Sequence, residues 1–194
     1  MRRADLPGDT VALARFLIGS ILVRDDALDG RIAARIVETE AYLPDDAASH
    51  AFRGATQRNG AMFLERGHAY VYLIYGISHC FNVSSERAGT GAAVLVRAAE
   101  PLLGLEVMQR RRATTVQADL ARGPGRLAQA FGLDRSHDRL DLCAPASPLW
   151  LAAGPPPPVL GESVRIGLTR EAHRVLRFFE AGSAFVSGPK KLRT

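Results

Sequence analysis

The chain has 194 residues, 47% hydrophobic and 23% charged, which suits one packed domain and excludes a disordered chain. Its formal net charge of +5 favours an anionic partner such as nucleic acid or a membrane surface. Two cysteines imply no disulfide framework. No apolar run is long enough for a bilayer span or a secretory leader, so a soluble, cytoplasmic protein is expected.

Asp9-Thr10 reads as a helix N-cap, and Val11, Leu13, Ala14, Leu17 and Ile18 recur at helical spacing, predicting a helix over 10–18. Ile21 to Arg24 suits a strand, and Asp25 to Gly30 a hairpin turn. Arg31 to Tyr42 reads as a long strand. By strict alternation it places Ile32, Ala34, Ile36, Glu38, Glu40 and Tyr42 on one face. Leu43 to Asn59 has no period and predicts a polar loop. Ala69 to Ile74 predicts a strand with Tyr70 and Tyr72 on one face. Tyr75 and Gly76 then turn the chain into a partner strand at Cys80 to Ser84.

Ala92 to Ala99 predicts a third strand, with Ala93, Leu95 and Arg97 sharing a face. Pro101 is predicted to start a helix at its first-turn position, with Leu102, Leu105 and Met108 as its apolar stripe. Gly123-Pro124-Gly125-Arg126 opens a further helix that Gly132 ends. Leu149 to Leu151 is a short strand, and Gly154 to Pro158 a stiff spacer. Val164 to Gly167 and Leu176 to Phe179 are the last expected strands, and a loose tail follows from Gly188. The pattern predicts a single α+β domain over residues 1–194 with a largely antiparallel sheet.

The stretch from Glu38 to Asn82 carries the candidate chemistry. It holds all four tyrosines and three of the five histidines. Walker, dinucleotide-binding, paired Cys-x-x-Cys and His-Glu-x-x-His motifs are absent from the chain. The spacing of Asp45, Asp46, His50, His68 and His79 matches no common metal site, so neither metal nor cofactor is expected. Glu38 and Glu40 are either a solvated strand face or part of a site. Close carboxylates do not both ionise cheaply, so at most one would act as a base and the other would pair with an arginine or backbone donors.

Tyr42, His50 and Tyr72 would suit a stacking cage for a nucleobase, or would be ordinary strand core. Tyr75 is either exposed by default at a hairpin tip or a wedge between base pairs. Arg97, within an apolar strand, needs a carboxylate or phosphate partner. Asn82 would shape a pocket or be a satisfied core amide. Lys190 and Lys191 are the only lysines, so the body offers no amine for Schiff-base chemistry at a sugar.

Taken in order, Glu38-Thr39-Glu40-Ala41-Tyr42, His50, Arg58-Asn59 with Met62-Phe63, Tyr70 to Gly76, Asn82-Val83-Ser84, Val94 to Arg97 with Glu100-Pro101, and Gly123 to Leu127 resemble the alkyladenine (3-methylpurine) DNA glycosylases. The resemblance implies a curved, open-barrel-like antiparallel sheet with a protruding β-hairpin and flanking helices. It implies Glu40 as the general base that activates water, with Arg97 beside it. Tyr42, His50 and Tyr72 would stack the flipped base, Asn82 would clash with the amino group of normal guanine, and Leu95 would line the same region. Tyr75 would be the wedge, and Arg58, Asn59 and Met62 would lie in the DNA-binding loop.

The expected enzyme is a monofunctional glycosylase without lyase activity, acting as a monomer on double-stranded DNA. It would remove 3-methyladenine, 7-methylguanine, hypoxanthine or ethenoadenine and leave an abasic site. Two departures stand out. Ser78-His79 replaces the aromatic that many members carry after the wedge, and the chain begins close to the core without the long tail of animal members. A catalytically silent nucleic-acid-binding module and a nucleoside hydrolase with paired glutamates remain the alternative readings.

Overall fold

The computed structural model describes residues 1–157 and 159–192. Helix α1 (Thr10–Leu17) is capped by Asp9, whose carboxylate accepts from the Ala12 amide at 2.8 Å. Strands β1 (Ile21–Asp26) and β2 (Gly30–Tyr42) follow, then the hairpin of β3 (Ala69–Ile74) and β4 (Ser78–Ser84), then β5 (Ala93–Leu103). Helices α2 (Leu105–Arg112) and α3 (Pro124–Phe131) precede β6 (Leu149–Ala152), β7 (Leu160–Ser163) and β8 (Arg177–Glu180). All pairings between these strands are antiparallel, in the order β3-β4-β5-β2-β1-β6, and β8 joins β2 and β7 at the side. The result is the α+β domain with a curled, half-open antiparallel sheet.

One face of the sheet carries the main core. Leu13, Ala14 and Leu17 of α1 and Leu127, Ala128 and Phe131 of α3 meet Ile32, Ala34, Ile36, Val94 and Val96 there. Each helix buries one stripe at the spacing expected of an amphipathic helix. The opposite face holds two smaller clusters. One is built on Met62, Tyr70 and Ala93, the other on Val37, Ala98, Phe179 and Val186.

Strict alternation fails in β2. Its register with β5 slips between Ile36 and Glu38 and again between Glu38 and Thr39, the mark of a bulge. The same place is where its other neighbour changes, from β1 alongside residues 30–35 to β8 alongside 38–40. Ile32, Ala34 and Ile36 therefore face the main core, and past the bulge Ala41 does. Thr39 also turns to that side and donates its hydroxyl to the Ala14 carbonyl at 2.8 Å. Glu38, Glu40 and Tyr42 stand on the opposite face, not on the face of Ile32 and Ile36 as alternation alone predicts.

Two other expectations fail for local reasons. Pro101 does not start a helix. It pairs with Ala34 inside β5, beyond the point where β4 stops pairing at Ala93–Leu95, so its missing amide costs no ladder bond. The helix starts at Leu105, after Gly104 turns the chain with φ +76°. Val164 to Gly167 is not a strand either. β7 ends at Ser163, and the chain then leaves the sheet toward Glu40.

Of the Gly154–Pro158 spacer, Pro158 lies outside the described residues. The tail expected to be loose is held by its backbone as far as the description reaches. The Leu192 carbonyl, at the end of a short turn over Lys190–Leu192, accepts from Arg177 at 2.5 Å. Arg193 and Thr194 lie outside the described residues.

Candidate active site

Sheet register alone assembles most of the site. Tyr70 pairs with Asn82, Asn82 with Leu95, Leu95 with Glu40, and Glu40 with Arg177. Directly opposed residues of antiparallel strands point to the same face. One row across β3, β4, β5, β2 and β8 therefore carries an aromatic, an amide, an aliphatic, a carboxylate and a guanidinium.

The carboxylates lie at the centre of a buried ion cluster. Glu38 and Glu40 have no exposed surface, and Arg97 keeps 8%. Glu38 Oε1 accepts from Arg97 Nε at 3.0 Å and from Arg177 Nε at 2.7 Å, and its Oε2 accepts from the Ser187 amide at 2.6 Å. Glu40 Oε1 accepts from the Ile166 amide at 2.8 Å. Its Oε2 lies 3.1 Å from the donating Tyr42 hydroxyl and 3.2 Å from Arg97 Nη1. Two carboxylates and two guanidiniums balance in charge, the condition under which buried ions are tolerated.

The two acids titrate in opposite directions. Burial pushes Glu38 up, but the guanidiniums of Arg97 and Arg177 and the Ser187 amide outweigh it, so its pKa ends below the ordinary value. Burial also pushes Glu40 up, and the neighbouring charge of Glu38 adds to it. Arg97 and the Ile166 amide only partly offset this, so Glu40 ends raised. Glu38 is the fixed anion and Glu40 the more readily protonated one.

Beside this cluster opens a cavity of about 240 Å³. Tyr42, His50, Tyr70 and Tyr72 give it aromatic walls, and Asn82, Leu95 and Arg97 line it as well. The His50 and Tyr72 rings meet edge to face with centroids 4.6 Å apart, and Tyr70 lies 5.3 Å from Tyr72. The His50 Nδ1 is 2.9 Å from the Tyr70 hydroxyl. Burial, then the charge of Arg58, lowers the His50 pKa, so the imidazole is neutral near pH 7. Burial raises the Tyr42, Tyr70 and Tyr72 hydroxyls, Tyr70 to about 12. Asn82 donates to the Tyr70 carbonyl at 3.0 Å and is thereby oriented. Glu40 lies just behind this wall: Tyr42, Arg97 and Ile166, which contact its carboxylate, all line the cavity.

At the rim stands the β3–β4 turn. Tyr75 is 88% exposed and Ile77 84%. Tyr75 has φ +53° and Gly76 φ +72°. Glycine adopts such a backbone freely, but a tyrosine does so rarely and at a cost. Tyr75 nevertheless borders the cavity.

The expected DNA-binding loop divides. Arg58 is exposed, with its guanidinium 5.9 Å from the Tyr72 ring centre. Asn59 is 3% exposed. Its amide donates to the carbonyls of His50 and Gly54, and its oxygen accepts from Thr56. Those bonds tie the loop that carries His50 and turn Asn59 away from any external surface. Met62 is buried and lines the cavity.

Sequence reasoning missed the C-terminal contributors. Arg165 is fully buried, makes a two-pronged pair with Asp46, donates to the Ala41 carbonyl at 3.0 Å and lies 4.6 Å over the Tyr42 ring. It anchors the segment from which the next amide, that of Ile166, reaches Glu40. Arg177 fills its guanidinium with Glu38, Ser163 and the Ser187 and Leu192 carbonyls. The signal was present: like Arg97, both stand alone among apolar neighbours in Val164-Arg165-Ile166 and Leu176-Arg177-Phe178.

Residues 4–184 match the family described as methylpurine-DNA glycosylase (MPG). Relatives provisionally named 3-methyladenine DNA glycosylase occur in several microbes. A protein of Mesorhizobium japonicum is 58% identical over 192 residues, covering 98% of this chain and 91% of its own length. One of Paraburkholderia phytofirmans is 54% identical over 193 residues, covering 98% and 89%. One of Methanoculleus marisnigri is 44% identical over 182 residues, covering 92% and 94%. Among the described residues, no helix is long and apolar enough to cross a membrane.

Proposed function

The chain belongs to the methylpurine-DNA glycosylase family, and from that premise we propose that it flips damaged purines out of duplex DNA and hydrolyses their N-glycosidic bond with water activated by Glu40. Its class of activity is that of a DNA-3-methyladenine glycosylase. The observation that carries the finer reading is the placement of a raised, fully buried carboxylate directly behind an aromatic cavity.

The cavity fits a base better than a whole nucleotide. Its volume of about 240 Å³ falls below the roughly 300–1,000 Å³ usual for drug-sized ligands. Tyr42, His50 and Tyr72 would stack the extruded purine, each aromatic–base contact being worth about 1–3 kcal/mol. Asn82, fixed by the Tyr70 carbonyl, would stand against the exocyclic amino group of normal guanine. Extrusion costs a few kcal/mol, least for poorly paired lesions. Tyr75 would enter the gap in the duplex and offset part of that cost, while exposed Arg58 would meet a phosphate. Asn59 and Met62 act from inside, as loop tie and cavity wall.

An ionised carboxylate accepts about four hydrogen bonds. The three groups on Glu40 leave capacity on Oε1, where a water that passes the wall formed by Tyr42, Arg97 and Ile166 would donate. Glu40 takes that proton as the water oxygen bonds to C1′ and the C1′–N bond electrons leave with the base. A raised pKa makes the ionised form a stronger base, and Arg97 and the Ile166 amide favour that ionised form against burial. Alkylated purines such as 3-methyladenine and 7-methylguanine already carry positive charge and depart readily. Hypoxanthine and ethenoadenine are the neutral members of the proposed spectrum. With water as nucleophile and no lysine in the body of the chain, the product would be an abasic site without strand cleavage.

The test is release of free base from duplexes carrying hypoxanthine or ethenoadenine and from methylated DNA, with and without alkali. The expected result is release by wild type but not by Glu40→Gln, with strand breaks only after alkali. Tight, salt-sensitive binding of lesion DNA with no release would establish a silent binding module instead. Turnover of free nucleosides, insensitive to Tyr75→Ala, would establish a nucleoside hydrolase.

A further inference from the structure

We propose that Glu38 is a positioning residue for the reaction: it fixes Arg97 beside Glu40 and, by sharing that guanidinium, keeps Glu40 basic, and the C-terminal segment reaching Ser187 completes its socket. This rests on the reading of Glu40 as the base.

Neither carboxylate lines the cavity, but all three partners of Glu40 do, whereas of the partners of Glu38 Arg97 does and Arg177 and Ser187 do not, so Glu38 stands one layer farther from the substrate. Every strong contact it makes is to a group that controls Arg97 or the C-terminal segment. Its Oε1 receives the Nε of Arg97 and the Nε of Arg177, and its Oε2 the Ser187 amide. Arg97 is a rigid planar fork. With Nε committed to Glu38, its Nη1 falls 3.2 Å from Glu40 Oε2, and its Nη2 lies 3.4 Å from the Ser187 hydroxyl. Removing Glu38 would free that fork to turn wholly onto Glu40.

Charge count gives the consequence. Glu38, Glu40, Arg97 and Arg177 sum to zero. Without Glu38 the set is cationic, and Glu40 faces Arg97 undivided. A carboxylate beside an unshared guanidinium holds its ionised form more tightly and becomes a weaker base. The other groups facing Glu40 do not reverse this. Tyr42 and the Ile166 amide bond to it, Arg165 stands behind Tyr42, and Arg177 is opposite on β8. Cys80, paired with Tyr72 across the hairpin, and His50 line the cavity on the far side.

The experiment is the pH dependence of single-turnover hypoxanthine release by wild type, Glu38→Gln and Glu38→Asp, with lesion-duplex affinity and melting temperature measured on the same samples. Glu38→Gln should move the acid limb down by about one pH unit and slow the plateau by about tenfold, with affinity unchanged. Glu38→Asp should return the limb to its wild-type place. A lower melting temperature with limb and plateau unmoved would make Glu38 purely structural and overturn the proposal. An upward limb would overturn it too.

Should Glu38→Gln not fold, carboxyl carbon-13 NMR of the wild-type protein decides. Glu40 should titrate with the acid limb while Glu38 stays ionised below it, and the reverse order would refute the proposal. If wild type releases no base from any lesion duplex, the glycosylase reading fails, and the order of titration still tests Glu38 as the fixed anion.

Discussion

The ion cluster and the hairpin tip border the same cavity from opposite conditions. Glu38 and Glu40 have no exposed surface, and each carboxylate oxygen has at least one donor. Tyr75 and Ile77 are 88% and 84% exposed, on a turn with two positive φ angles. The cluster is preorganised, with its desolvation offset inside the fold. The tip is exposed apolar surface on a strained backbone, an arrangement typical of functional positions. Substitutions in the cluster should therefore alter chemistry or stability, and substitutions at the tip should alter what the protein does to a duplex and little else.

The largest effect that would test this division is on the chemical step. Glu40→Gln should lower single-turnover base release by about 10²–10⁴-fold and leave lesion-DNA affinity intact in a filter or anisotropy assay. Near-normal release would remove Glu40 from the reaction. The pH profile sharpens the point. Because the Glu40 pKa is raised, wild-type release should fall as pH drops through a value above the ordinary carboxylate range.

Next comes stability. Glu38→Gln leaves two buried guanidiniums short of a partner and should cost about 3–5 kcal/mol near pH 7, read from denaturant unfolding. The sign follows from its depressed pKa. The stabilisation is present above the unfolded-state value and is lost as pH falls through the folded one. Wild type and variant should therefore converge in acid, and a constant gap across pH would contradict the ionised assignment.

At the tip, Tyr75→Ala should slow excision from duplexes by about 10-fold, with a smaller loss on single strands and a stability change within about 0.5 kcal/mol. Equal losses on both substrates would refute the wedge. Smallest of all, Gly76→Ala should cost about 1 kcal/mol, the penalty of a Cβ at positive φ. Nothing lies within 4 Å of that Cβ, so strain alone is at issue, and a neutral result would mean the turn relaxes.

The elements legible in the sequence were those set by local chemistry. Asp9 before an apolar period gave α1, Gly123-Pro124 and Gly132 bracketed α3, and alternating aromatics gave β3. What failed depended on partners far along the chain. The bulge in β2 sits where β1 gives way to β8, more than 130 residues away in sequence, and strand period carries no trace of it. Pro101 was misplaced because its edge position in the sheet is a tertiary fact. In the site, Glu40, Arg97, Tyr42, His50, Tyr72 and Asn82 were singled out as candidates, and the structure gathers them in or just behind one cavity. Arg165, Arg177 and the Ser187 amide were not: the two lone arginines were visible in the sequence, but their partners Asp46 and Glu38, and the partner of the Ser187 amide, lie 119, 139 and 149 residues away.

That separation has a meaning for how the protein is made. Synthesis runs from the N-terminus, so Glu38, Glu40 and Arg97 leave the ribosome well before Arg177 and Ser187. Until those arrive, two acids share one cation, and the segment that supplies the Ile166 amide has no finished strand to hold it. A nascent chain can thus hold most of its sheet and its whole hairpin while its buried ion cluster is still incomplete. The ion cluster therefore waits on residues 166–187, the last of its contributors to be made.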